Sequence, residues 1–236
     1  MKQIYFNFSD IPQLLCISAR KGELHKLKRI FEYINENDME EEVIREYGDT
    51  YKKISDQKIV DIKAEFYSYT PLEFERTPLM EAAKNGHFNV CEYLIEHQNA
   101  NVDIKSNDQW TAIMYAAFNN HLNIVQLLIK HNADIRSQDK SGDTVAYLVA
   151  RHGNLDIMKV LLDKDSKVAN VKGSEGCTPL IMATRWGHLE ICDYLVTHIK
   201  VDVNIKDDKK KTALDWAVLL NHTKIEEVLV RNQLLH

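Results

Sequence analysis

A chain of 236 residues can bury a sizeable core, and 28% charged with 44% hydrophobic residues is ordinary for a globular protein. The net charge of −5 removes the strong positive field on which binding to nucleic acid or an anionic membrane depends. No run of about eighteen apolar residues reads as a bilayer span, and Met1 to Asp10 is too short and polar for a secretory leader.

The four cysteines, Cys16, Cys91, Cys177 and Cys192, show neither C-x-x-C spacing nor a Cys/His cluster, which argues against a zinc site. Scattered thiols without a leader point to a reducing, cytoplasmic compartment. Eight glycines and four prolines are too few for a linker-rich or disordered chain.

In chain order, the first helical stretch is Ile11 to Lys21, closed by Gly22. Leu24, Leu27, Ile30 and Phe31 then have the spacing of a second helix. Residues 37–75 follow no such pattern. Glu36 to Asp49 holds seven acidic residues against Arg45 alone, so this stretch reads as a solvated, partly helical insert, with a degenerate repeat as the alternative. Tyr47, Tyr51, Phe66, Tyr67 and Tyr69 are candidates to anchor it.

From residue 76 onward the chain repeats itself. Thr77, Thr111, Thr144, Thr178 and Thr212 lie 34, 33, 34 and 34 residues apart. They open the stretches TPLMEAAKNGH, TAIMYAAFNNH, TVAYLVARHGN, TPLIMATRWGH and TALDWAVLLNH. Threonine suits a helix N-cap, and proline after it suits the first helical position, where a missing N–H costs nothing. Small residues five and six places on, such as Ala82 and Ala83, let neighbouring helices approach closely. Gly or Asn nine places on (Gly86, Asn120, Gly153, Gly187, Asn221) tolerates the left-handed turn that ends a short helix. A second apolar helix then runs back, and a short polar hairpin tip joins it to the next copy. One such pair cannot bury both faces, so copies must stack.

The pattern resembles the ankyrin repeat, with its T-P-L-H-x-A-A start, its G-H turn and its leucine-rich second helix. The resemblance implies an all-α solenoid of about five clear repeats (76–109, 110–142, 143–176, 177–210, 211–236) with short hairpin-like loops. Residues 1–36 align as a divergent N-terminal repeat through Gly22. Lys21, Lys26, Lys28 and Arg29 suit an outer capping position there, and Glu226 replaces an apolar residue in the last copy, so both ends read as capped. The family's TPLH histidine is absent from every copy: Met80, Met114, Tyr147, Ile181 and Asp215 stand there.

His87, His121, His188 and His222 recur ten residues after the repeat threonines. Stacked copies lie about 8–10 Å apart, whereas zinc needs ligands about 2 Å from one centre. The histidines are therefore expected to bond turn backbone rather than a metal. By the same distance Cys91 and Cys192, three copies apart, are roughly 30 Å from each other, beyond any disulfide. Cys177, at a hairpin tip, is expected to be more exposed. No phosphate loop, nucleophile elbow or H-E-x-x-H motif occurs, so neither a catalytic set nor a cofactor is expected.

The resemblance implies a non-catalytic module, an adaptor, scaffold or inhibitor, binding another protein on a concave face. Its variable contact positions are the residue before each repeat threonine and those four, seven and eight places after it. Trp110, Tyr115, Phe118, Arg151, His152, Arg185, Trp186, Lys211 and Trp216 are the partner-binding candidates among them. All three tryptophans fall at these positions, along with five basic residues against two acidic ones, which points to an apolar and acidic partner. The run Asp207 to Lys211 reads as a solvated hairpin tip. Two rival readings are a nucleic-acid binder and a targeting solenoid for an enzyme hosted in 37–75. The Asn-, Lys- and Ile-rich vocabulary fits both a bacterial effector acting in host cytoplasm and a protist's own protein.

Overall fold

A computed structural model describes residues 11–36 and 76–234, which contain twelve α-helices and no strand beyond one isolated bridge between Gln138 and Thr144. The expected insert at 37–75, with its aromatic anchors, and the segment Met1 to Asp10 lie outside the described residues. The chain divides into two compact units, Met1–Asn107 and Asp108–His236.

In the first unit α1 (Ile11–Arg20) and α2 (Leu24–Glu36) form an antiparallel pair, and α3 (Pro78–Lys84) and α4 (Phe88–Glu96) form another. The two pairs meet where α1 packs on α3. Leu15, Cys16, Ala19, Leu79, Ala82 and Ala83 are buried there, the small residues permitting close approach. A buried carboxylate strengthens this contact. Glu81 is 1% exposed and accepts from Arg20 Nε at 3.1 Å and Arg76 Nε at 2.7 Å. Both oxygens are thus satisfied, which a buried charge requires.

The second unit stacks four pairs. Its first helices are α5 (Ala112–Phe118), α7 (Val145–His152), α9 (Pro179–Arg185) and α11 (Ala213–Leu219). Its second helices are α6 (Leu122–Lys130), α8 (Leu155–Lys164), α10 (Leu189–Tyr194) and α12 (Thr223–Leu234). First helices pack on first helices and second on second, as a solenoid requires. A short 3-10 helix at Ser166–Asn170 follows α8, and one π turn, Leu195–Ile199, follows α10.

Threonine caps account for where these helices begin. The hydroxyls of Thr77, Thr144, Thr178 and Thr212 accept the N–H of Met80, Tyr147, Ile181 and Asp215. At Thr212 the Asp215 carboxylate returns the bond, closing a reciprocal cap. Thr111 differs, for its hydroxyl is buried and makes no hydrogen bond. Where the family carries histidine, Met80, Met114, Tyr147 and Ile181 are buried and fill the core instead.

Left-handed residues account for where the helices end. Gly22, Gly86, Asn120, Gly153, Gly187 and Asn221 all have φ between 56° and 78°. At Gly153 a side chain is barred twice over, by φ of 78° and by the His188 ring, whose Nδ1 would lie 2.6 Å from an added Cβ. That ring is in place because His188 Nε2 bonds the Arg151 carbonyl of the preceding turn at 2.9 Å. His87 does the same to the Arg20 carbonyl at 2.8 Å. Asn154, at the equivalent position of the copy without a histidine, donates to the Ala117 carbonyl at 3.3 Å. At His87 and His188 these are the turn-backbone bonds expected of the repeated histidines. Each fastens one repeat's turn to the next.

Hairpin tips stack by the same logic. The Asp139 N–H bonds the Asp143 carbonyl, Gly173 that of Cys177, and Asp207 that of Lys211, at 2.9–3.1 Å. Between tips, Lys140 N–H reaches the Asp108 carbonyl and Asp208 N–H the Glu175 carbonyl.

Candidate partner-binding surface

All nine candidate residues belong to the second unit, at or near the C-terminal ends of its first helices or at its hairpin tips. They do not share one environment. The position four residues after each threonine is buried in every copy: Glu81 in the first unit, then Tyr115, Leu148, Met182 and Trp216. One turn later the side chains emerge. Phe118 is 41% exposed and Trp186 55%, and Asn119, Arg151, His152, Leu219 and Leu220 are exposed as well. At the tips Trp110 and Lys211 are half-buried, whereas Asp143 and Cys177 are buried.

The candidates form two clusters and a link between them. Trp110 sits 5.1 Å from Tyr115 and 5.3 Å from Phe118, ring centre to ring centre. Its indole N–H donates to Asp139 at 3.0 Å. Phe118 in turn meets His152 edge-on at 4.4 Å, which joins α5 to α7. Partial desolvation, Arg151 and His188 hold the His152 pKa below its ordinary value, favouring the neutral ring.

Arg151 makes the link, its guanidinium lying 5.3 Å from the Trp186 ring centre. Arg185 lies 4.7 Å from the Trp216 ring, with Lys209 at 5.7 Å and Lys211 at 6.0 Å. Trp216 donates its N–H to Asp207 at 2.8 Å and is 8% exposed. Tyr115 and Trp216 therefore carry the neighbours that are exposed. Trp186 is the tryptophan whose N–H finds no acceptor among the described residues, and it presents most of its ring to solvent.

The expected exposure of Cys177 is overturned. Its side chain is fully buried, because Arg185 closes over the thiol with Nη1 3.4 Å from Sγ. Burial pushes the thiol pKa up against the opposing pull of Arg185, so this is not an activated nucleophile. Cys91 and Cys192 are buried too, their pKa values pushed up to about 12 by desolvation.

Sequence reasoning counted Asp143 among the contact positions, as the residue before Thr144, but missed its structural part: it is buried and its carboxylate accepts from both the backbone N–H and the hydroxyl of Ser174 on the next tip. It also missed Glu175, which gathers Arg185 and Lys209. The alignment of tip positions 34 residues apart was the available signal for both.

Among the described residues no group of His, Cys, Asp and Glu is placed to hold a metal ion, and no helix is long and apolar enough to cross a membrane. A profile of ankyrin repeats matches the sequence three times, over residues 15–139, 131–207 and 148–234. A search of curated proteins matched none of them.

Proposed function

The chain belongs to the ankyrin repeat family, whose repeats are in general protein–protein interaction modules, and from that premise we propose that its second unit grips a partner protein through the row running from Phe118 to Leu220. Trp186 and Phe118 are the anchors in this reading, with Arg151, His152 and Arg185 supplying polar and charged handles. Trp110, Tyr115, Lys211 and Trp216 hold that row in position from beneath and beside it. The observation that carries the reading is the exposure of large aromatic rings at equivalent helix ends while the residues one turn earlier are buried. Aromatic and arginine side chains combine apolar area with a polar handle and dominate interface energies.

The role is that of an adaptor or inhibitor in the cytoplasm, without chemistry of its own, and the partner surface is apolar at its centre with acidic residues nearby. Its identity is to be sought by crosslinking and affinity capture, with the Phe118→Ala and Trp186→Ala variants as controls. Each substitution should weaken the captured complex by roughly 2 kcal/mol or more, and Trp186→Ala should leave unfolding free energy within about 0.5 kcal/mol of the parent. Folded variants that keep full affinity would remove this surface from consideration.

A further inference from the structure

Glu175 lies on the hairpin tip ahead of α9, in a left-handed conformation with φ of 56°. Its side chain is about half exposed, and one carboxylate oxygen collects two cations from different elements. Arg185 Nη1 donates to Oε2 at 3.1 Å from the end of α9, and Lys209 Nζ donates at 2.9 Å from the following tip.

Both the guanidinium and the tip have supports apart from this carboxylate. Arg185 also donates to Cys177 Sγ and lies over the Trp216 ring. The Glu175 backbone is fastened separately, its carbonyl accepting the Asp208 N–H at 2.9 Å. The side chain can therefore swing outward without releasing the guanidinium or the tip. The neighbouring acid Asp207 has no such freedom, because it is buried and holds the Trp216 and Lys211 N–H groups.

We propose that Arg185 and Lys209 form a carboxylate-recognition subsite for the partner, and that Glu175 is a built-in stand-in occupying it in the free protein. The inference rests on the partner-binding reading above and names the chemistry of the occupant: an extended peptide segment with Asp or Glu beside an apolar residue. The apolar residue seats at Trp186, the immediate neighbour of Arg185, and the acid displaces Glu175. Two cations on one oxygen need an anion between them. Glu175 supplies it until the partner's carboxylate does, with the receiving geometry already set. The cost to the complex is competition from an exposed ion pair.

The test is a selection from a random-peptide display library on the full chain. Enriched peptides are then titrated by fluorescence polarisation against the parent protein, Glu175→Gln, Arg185→Gln and Trp186→Ala. Enriched sequences should carry an acid beside an apolar residue. Glu175→Gln should tighten them about two- to fivefold, the range of an exposed ion pair, and Arg185→Gln should weaken them. Replacing the peptide's acid by its amide should abolish the Glu175→Gln gain, as coupling demands. Thermal melts confirm that each variant is folded. Enriched sequences without acids, or unchanged or weaker binding by Glu175→Gln, overturn the subsite. If Trp186→Ala still loses binding in that case, the partner-binding surface stands alone. If neither Trp186→Ala nor Glu175→Gln changes affinity, both fall together.

Discussion

Along the first helices of the second unit, two rows of side chains lie one helical turn apart. Tyr115, Leu148, Met182 and Trp216 are buried, whereas Phe118, Arg151, His152, Trp186, Leu219 and Leu220 are exposed. The helices are seven or eight residues long, so a single turn separates residues packed against the next repeat from residues at the helix end. There the left-handed turn carries the backbone away. The contrast teaches that one short helix can divide its labour, holding the stack with one row and displaying chemistry with the next.

Substitution should separate the two rows most sharply at tryptophan. Trp216→Ala removes a buried ring and takes the indole donor from Asp207 Oδ2, so it should cost about 3–5 kcal/mol in urea unfolding. Trp186→Ala, from the exposed row, should cost at most about 0.5 kcal/mol in the same assay. Equal costs would erase the distinction.

A second prediction concerns the turn that turns the exposed row outward. Gly153→Ala forces an alanine into a left-handed backbone and drives its Cβ against the His188 ring. The conformation alone costs about 1–2 kcal/mol, and the displaced ring adds the loss of its bond to Arg151. Equilibrium unfolding should show the sum, and a variant as stable as the parent would show that this turn is not held by His188.

At the other end of the helices, Thr178→Val should cost about 1 kcal/mol by removing a cap hydrogen bond. Thr111→Val should be neutral or slightly stabilising, since that buried hydroxyl bonds nothing. Similar losses at both sites would mean that the hydroxyls do not act as caps. The smallest effect belongs to pH. The Thr212 N–H and hydroxyl hold the Asp215 carboxyl below its ordinary value. Its contribution is therefore complete above the range where an unfolded aspartate titrates, near pH 3.9, and is lost as pH falls through the lower folded value. Asp215→Asn should flatten the acid limb of a melting-temperature profile slightly. An unchanged limb would argue against the reciprocal cap.

Much of the fold was legible because it is written in backbone requirements that recur. A threonine that caps, a glycine or asparagine that turns left-handed and a histidine that reaches a carbonyl each demand one residue type at one spacing. The depth of a given side chain is less legible, since it depends on which neighbour, in its own repeat or another, covers it. The position four after the threonine, expected among the contact positions, is closed off by packing. Cys177 follows a polar tip and would be exposed if Arg185 did not fold over it. Glu175 and Asp143 look like ordinary loop acids until the tips are stacked. The identity of the exposed residues was readable from spacing. Their division into displayed and supporting groups required the coordinates.

The tip-to-tip bonds from Lys140 N–H to the Asp108 carbonyl and from Asp208 N–H to the Glu175 carbonyl use main-chain atoms alone. Any side chain able to adopt the local backbone leaves them intact. Tip positions such as Lys140 and Asp208 can thus change without breaking these main-chain bonds, whereas the carboxylates of Asp139, Asp143 and Asp207 are tied into the scaffold. In the stacked tips, register is carried by atoms that every residue type except proline possesses, and only these carboxylates tie it to particular residues.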